Sequence, residues 1–262
     1  MMFSDFSQPL NFLLLFVVMF VFITGRYFLI SGIFYGIFYV RFPKVWEQRK
    51  INQRSYKDGQ FKMEMKYSVI SGSIFSLIGA VTVLLWQKGF TKLYINISDF
   101  SWWYLPLSLI IYMFLQETYY YWIHRWMHIP KIFRIVHKVH HDSKISSPFT
   151  AFSFHPIEAL LQAVFLPILL LIIPIHLYVL ISLLIIMSVS SVINHLDIEV
   201  YPASWKNNLA KWLIGATHHS LHHTFYKHNF GLYFTFWDVW KKTESNRFDE
   251  IFERVTKNKS ST

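Results

Sequence analysis

The sequence predicts an all-α fold: a multi-pass transmembrane helical bundle of about four spans or hairpins, carrying a cytoplasmic, histidine-rich helical cap. Three observations predict it. The 262-residue chain is 53% hydrophobic and only 15% charged, against about 25% charged in ordinary soluble domains, too little to cover a water-facing surface of its size. Apolar runs of bilayer length recur along it. Its 13 histidines cluster outside those runs, at helical spacing.

The first apolar run, Leu10 to Val40, is interrupted only by Arg26. It exceeds the roughly 20 residues a bilayer needs, which implies tilt, a bend near Gly25 or an interfacial stretch. The start lacks a basic region and a small-residue cleavage site, so it does not read as a cleaved signal peptide. The second run, Tyr67 to Trp86, matches one span. The third, Trp102 to Ile123, is flanked by Trp102, Trp103 and Tyr104 and by Tyr119, Tyr120, Tyr121 and Trp122, rings that favour the headgroup level. The fourth, Ala159 to Ile193, is split by Pro174 and reads as a tight hairpin that need not cross fully.

Loop charge sets the orientation. The loop 41–66 carries Arg41, Lys44, Arg49, Lys50, Arg54, Lys57, Lys62 and Lys66, whereas 87–101 carries only Lys88 and Lys92. The positive-inside rule therefore makes 41–66 cytoplasmic. The third span returns the chain to that side before His124, and the hairpin leaves the C-terminal part there too. The expected protein is an integral, multi-pass membrane protein with its site on the cytoplasmic face of a bacterial inner membrane or the endoplasmic reticulum. One membrane-embedded domain covers 1–262, with a motif core at 117–242 and a polar tail at 243–262. The net charge of +10 points to cytoplasmic loops and anionic lipid rather than to nucleic acid. The absence of cysteine excludes a disulfide framework, cysteine-ligated metal and a thiol nucleophile.

The histidines carry the chemistry. His124-Arg125-Trp126-Met127-His128 places two rings on one helical face. His137-Lys138-Val139-His140-His141 repeats this at i, i+3 and i+4, and His219-Ser220-Leu221-His222-His223 repeats it again. His195 adds a ninth ring. A single zinc takes about four ligands, so His124, His128, His137, His140, His141, His195, His219, His222 and His223 suit two metals better than one. By ligand type alone the site suits iron, copper, nickel or zinc. Ligands or outer partners are sought among Glu117, His155, Glu199, His218, His228, Asn229 and Asp238. Glu117 lies inside an apolar run, at 117, 121, 124 and 128 on one helical face, placed to accept the N–H of a ligating imidazole. His176 reads as a hydrogen-bonded core residue, and Pro156 with Glu158 reads as a helix start. No catalytic residue beyond metal ligands is predicted. There is no zinc-protease helix, nucleophile elbow, Walker loop or dinucleotide turn.

In the order Glu117, His124-Arg125-x-x-His128, His137-Lys138-x-His140-His141, His155-Pro156-x-Glu158, Asn194-His195, His219-x-x-His222-His223, Asn229-Phe230-Gly231 and Trp237-Asp238, the chain resembles the fatty acid hydroxylase/sterol desaturase superfamily of membrane di-iron oxidases. The likeness spans roughly 117–240. Ser147-Pro148-Phe149, Phe154-His155-Pro156, Pro174-Ile175-His176 and His222-His223-Thr224-x-Tyr226-Lys227-His228-Asn229 are similar to the sterol C5-desaturases (lathosterol oxidases) within it. The chain departs from them at Glu158, where aspartate is usual, at Glu199, where a second histidine is usual, and at Lys242-Thr243, where Gly-Thr is usual. Glu199 at i+4 from His195 is thus a candidate carboxylate ligand.

The resemblance implies two irons per chain, dioxygen, a lipid substrate taken from the bilayer, and electrons from an external cytochrome b5- or ferredoxin-like carrier. Lys131, Arg134, Lys138, Lys144, Lys206, Lys211, Lys227, Lys241 and Lys242 can steer an acidic carrier, or meet anionic headgroups instead. The expected reaction is desaturation or hydroxylation of a lipid C–H bond, on a sterol or sterol-like molecule. The alternatives are a fatty-acyl or sphingoid hydroxylase, a membrane zinc hydrolase or acyltransferase, and a metal-binding or transporting protein.

Overall fold

Long apolar helices dominate the computed structural model, which describes residues 5–207 and 209–257; the side chains of 206–210, Lys206 among them, lie outside the described part. In chain order the helices are α1 Pro9–Tyr35, α2 Pro43–Trp46, α3 Gln60–Gln87, α4 Tyr104–Met127, α5 Pro130–Val136, α6 Lys138–His141, α7 Pro156–Ile172, α8 Leu177–Asn194, α9 Ala216–Phe225, α10 Phe236–Lys241 and α11 Phe248–Thr256. Two short strands, β1 Leu93–Tyr94 and β2 Ile175–His176, pair in parallel.

Among the described residues three helical stretches are long and apolar enough to cross a membrane: Pro9–Arg41, Gln60–Gln87 and Leu177–Asn194. The chain is an integral membrane bundle. α4 has 24 residues, ample at about 1.5 Å per residue, but Gln116, Glu117 and the tyrosine run lower the hydropathy of its second half. α1 runs unbroken through Gly25. Its winding widens instead over Gly36–Arg41, a π-helical turn ahead of Pro43, whose ring cannot continue a helix. Leu13, Leu14, Val17, Val18, Val21 and Phe22 on α1 stay exposed, as lipid-facing residues do.

α1 and α3 lie close because small residues meet between them. A Cβ at Gly72 would fall 2.4 Å from Thr24 Oγ1, and one at Gly79 2.6 Å from the Met19 methyl, so helices approach where side chains are missing. The α7–α8 hairpin reaches the far side of the bundle. Its tip pairs with the 87–101 loop (Leu93 with Ile175, Tyr94 with His176), and His176 Nε2 lies 2.8 Å from the Ile95 carbonyl. The hairpin expected over Ala159 to Ile193 is present, and the tip's free backbone groups find partners on that loop. At the opposite end, loop 41–66 packs on the histidine region: Ile51 N–H donates to the Asp197 carbonyl and Glu199 N–H to that of Arg49.

The stretch read as a polar tail contains α11. Phe252 and Val255 are buried, and Phe248 stacks on His218 at 3.8 Å. Apolar residues at i, i+4 and i+7 make one buried stripe on an otherwise charged helix. Residues 258–262 lie outside the described part.

Candidate metal centre

Local signals at each element end deliver the rings. α4 carries His124 in its last turn and His128 at its C-cap. Ile129 is extended and Pro130 opens α5, because proline suits a first helical position. The chain turns again at His137, and α6 presents His140 and His141. α8 ends on His195. α9 bears His219, His222 and His223 and stops at Tyr226, whose φ of 63° is left-handed, a common helix terminator.

All nine histidines expected as ligands come together in two groups. His124, His128, His137, His141 and His222 form one, and His140, His195, His219 and His223 the other; within each, one nitrogen per ring lies within 4.8 Å of the rest. Eight of the rings are buried, and His128 is partly so.

The hydrogen bonds fix which nitrogen faces inward. A carbonyl only accepts, so a ring nitrogen bonded to one carries the proton. His124 Nδ1 donates to Phe230 O at 2.8 Å, His195 Nδ1 to Ser191 O at 2.7 Å and His222 Nδ1 to His228 O at 2.7 Å. His223 Nδ1 donates to Ser143 O at 3.0 Å and His140 Nδ1 to Ser153 O at 3.3 Å. The Nε2 atoms of these five neutral rings are therefore bare. Yet His140 and His195 face each other Nε2 to Nε2 at 3.1 Å, with no proton to share. Similar close approaches join His195 to His219 at 2.9 Å, His219 to His223 at 3.2 Å, His124 to His137 at 3.1 Å and His141 to His222 at 3.1 Å. Bare lone pairs at such distances repel unless a cation lies between them. Two nitrogens each about 2.1 Å from one metal ion, at a coordination angle near 90–109°, sit about 3.0–3.4 Å apart. The donor set fits metal ions.

Burial keeps these rings neutral. It holds His137, His140, His141, His219, His222 and His223 well below the ordinary imidazole range, with neighbouring histidines adding to the effect. His195 is pushed down to about 4, chiefly by burial.

The surrounding acids have different tasks from those expected. Glu117 is fully buried but touches no imidazole: it accepts the N–H groups of Leu232, Tyr233 and Phe234 at 3.0, 2.6 and 3.1 Å. Three unpaired donors in one loop are a stronger demand than one ring N–H. Glu199 is not with the ligands either. It accepts from Tyr201 N at 3.0 Å and from Thr217 N at 2.9 Å, at the start of α9, where the helix dipole favours an anion. Asp238 accepts from Phe230 N and Gly231 N, both at 2.9 Å. Asn229, at φ 59°, donates to His218 O and accepts from Ser245 N.

Four histidines stay outside both groups, His176 at the hairpin tip and three that were candidate site residues. His155 caps α7, its Nδ1 accepting from Ile157 N. His218 stacks on Phe248 and lies 3.7 Å from Glu244. His228 contributes its carbonyl to His222.

Two carboxylates were not among the candidate site residues. Glu158, read from the sequence as a helix start and as part of the family motif, lies 2.8 Å from His137 Nδ1, both side chains fully buried; its signal was the spacing in His155-Pro156-x-Glu158. Glu64 accepts from Gln60, Ser143 and Thr150 through Oε1 and from Ser147 through Oε2, tying α3 to the loop after α6. Its place among the charges of 41–66 concealed it.

A cleft lined by Phe152, Phe154, Tyr119 and Phe165 reaches His195 and His219. A larger apolar cleft lies between α1, α3, α7 and α8 and shares Phe75, Gln116, Phe152, Gln162 and Met187 with the first. The shared side chains set the two clefts side by side, one among the apolar helices and one at the second histidine group.

No solved structure matches the chain significantly. Human lathosterol oxidase is 31% identical over 198 residues, covering 74% of this chain and 64% of that protein. A Delta(7)-sterol 5(6)-desaturase of Gibberella zeae is 29% identical, covering 74% and 59%, and a putative Delta(7)-sterol-C5(6)-desaturase of Arabidopsis thaliana is 33% identical, covering 63% and 58%. The chain thus spans less than two thirds of these relatives' own length. Residues 109–243, about half of the chain and the stretch that holds every ring of both groups, match the family model for fatty acid hydroxylases, and the chain belongs to the fatty acid hydroxylase family.

Proposed function

We propose that this protein is an O2-dependent lipid oxidase that desaturates a C–H-rich segment of a sterol or sterol-like molecule, with two irons held by the two histidine groups. The observation that supports it is the second group's position: two of its four imidazoles, His195 and His219, line a cleft that shares its walls with the apolar cleft among the membrane helices. Iron bound there would supply the O2 chemistry that acid–base side chains cannot perform on an unactivated C–H bond. Loss of two hydrogens from the lipid, with O2, two electrons and two protons, yields the alkene and two waters.

The chain's own residues do the rest. His124, His128, His137, His141 and His222 would hold one ion, and His140, His195, His219 and His223 the other. The carbonyls of Phe230, Ser191, His228, Ser143 and Ser153 orient the rings. Phe152, Phe154 and Phe165 exclude water from the cleft and aim the lipid. The chain has no dinucleotide fingerprint, so electrons would come from a separate acidic carrier of the cytochrome b5 or ferredoxin type. Lys131, Arg134, Lys138, Lys144, Lys211, Lys227, Lys241 and Lys242 are exposed and can steer it. The positive loop 41–66, packed beside the histidines, supports a cytoplasmic site.

Metal analysis of the purified protein, together with lipid profiling of cells with and without it, tests this. Two irons per chain and a product lacking two hydrogens are expected. A product with an added oxygen would favour the acyl or sphingoid hydroxylase, and a single tightly held zinc would end the oxidase reading.

A further inference from the structure

Arg26 is the one cation inside the first apolar run. In α1 it stands 17 residues past Pro9 and 15 before Arg41, close to the middle of a bilayer at about 1.5 Å per residue. An arginine at that depth is unfavourable without a partner and by default marks function. Among the described residues no carboxylate pairs with it. One long contact, from a terminal nitrogen to the Leu184 carbonyl at 3.4 Å, is its hydrogen bond to protein, and its buried Nε has none.

Arg26 lines the larger cleft. The two glutamines that also line it are engaged elsewhere: Gln116 with Tyr233 and Met187, Gln162 with Glu158. Among the described residues Arg26 is therefore the one cation on an otherwise apolar cleft, with hydrogen-bonding capacity that the protein leaves unused. Leu184 precedes His195 by 11 residues along α8 and its cap, a rise of about 16 Å.

We infer that Arg26 receives an oxygen acceptor, a carboxylate before a hydroxyl, borne by the substrate lipid about 16 Å from the carbon presented to the second histidine group. The fork of a guanidinium matches a carboxylate in two parallel hydrogen bonds, and pairing the two charges removes the burden of a lone cation in the membrane. The inference rests on the proposed lipid oxidase and narrows its substrate. The 3-hydroxyl oxygen of a sterol lies three bonds from C5, so a sterol presenting C5 to the histidines would keep that hydroxyl beside them. Its far end would have to supply the oxygen that Arg26 reads.

The test is equilibrium binding of radiolabelled hexadecanoate, hexadecan-1-ol and hexadecane to the full-length, metal-loaded protein in detergent, with R26M and R26K compared. The wild type is expected to hold hexadecanoate about tenfold more tightly than hexadecane. R26M should lose that preference while keeping its hexadecane affinity and bound metal, and R26K should keep part of it. A preference for the alcohol that vanishes in R26M would support a neutral hydroxyl as the acceptor. No preference for either oxygenated chain, or a preference that R26M retains, would overturn the inference. Absence of metal from the wild type would instead remove the oxidase reading, and the binding comparison would still judge Arg26.

Discussion

His140 and His222 belong to different groups, so their substitutions separate the two proposed ions. His140→Ala is expected to lose the ion of the second group and His222→Ala that of the first, each leaving about one metal per chain by elemental analysis. Loss of both ions from either variant would mean that the groups do not bind independently. Glu158 acts one bond further out. Its carboxylate lies 2.8 Å from His137 Nδ1, and carboxylates beside a ligating imidazole orient it and raise its donor strength. Glu158→Ala should weaken metal binding about 10- to 100-fold, read by chelator competition, with Glu158→Asp restoring part of it. A wild-type affinity in Glu158→Ala would assign the pair to packing alone.

At the scale of elements, the loop 229–235 is the part most dependent on one side chain. Glu117 accepts three of its N–H groups, Asp238 two more, and the Phe230 carbonyl orients His124. Glu117→Ala leaves three buried donors unpaired and is expected to destabilise the fold by about 3 kcal/mol or more, with metal lost along with stability. Gly231→Ala should act in the same direction, because its Cβ would sit 2.5 Å from the Phe234 carbonyl and 3.0 Å from Glu117 Oε1. Thermal unfolding in detergent measures both; a melting temperature unchanged in either would refute the account of this loop. The grouping of eight of the rings was legible, because i, i+3 and i+4 spacing places side chains on one face whatever the tertiary fold. The helices were legible too, since apolar run length is a local property. The tasks of Glu117 and Glu199 were not legible. Both serve backbone N–H groups of segments distant in sequence, and a backbone donor has no letter in the sequence. The far reach of the α7–α8 hairpin was hidden for the same reason: it is recorded in main-chain pairing between 93–94 and 175–176. α11 was hidden because its buried stripe is Phe248, Phe252 and Val255 alone, diluted among charges.

For the whole molecule, the concentration of buried neutral imidazoles links folding, metal and pH in one direction. In the unfolded chain these rings take up protons near the ordinary value of 6.5; in the folded chain His195 does so only at about 4, and six others well below 6.5. Between those values the unfolded state binds more protons than the folded state, so stability rises with pH across that window. The contribution is complete above about 6.5 and is lost as pH falls toward 4. Metal ions add to it, since each competes with protons for the same lone pairs. Acidification from pH 7 to pH 4.5 is therefore expected to release metal and lower the melting temperature together. The metal-free protein should show the same downward trend from a lower starting point, because burial of the rings remains when the ions are gone. Carboxylates with raised values oppose this slope: burial pushes Asp197 up to about 7 and also raises Asp238, so their protonation favours the folded state as pH falls. Outside the membrane helices two such acids stand against seven depressed rings, and the expected net sign follows the histidines. Thermal melts of metal-loaded and metal-free protein over this range, with released metal followed by a colorimetric chelator, decide the matter: a melting temperature that stays flat or rises on acidification would show that the rings are not held neutral in the folded protein.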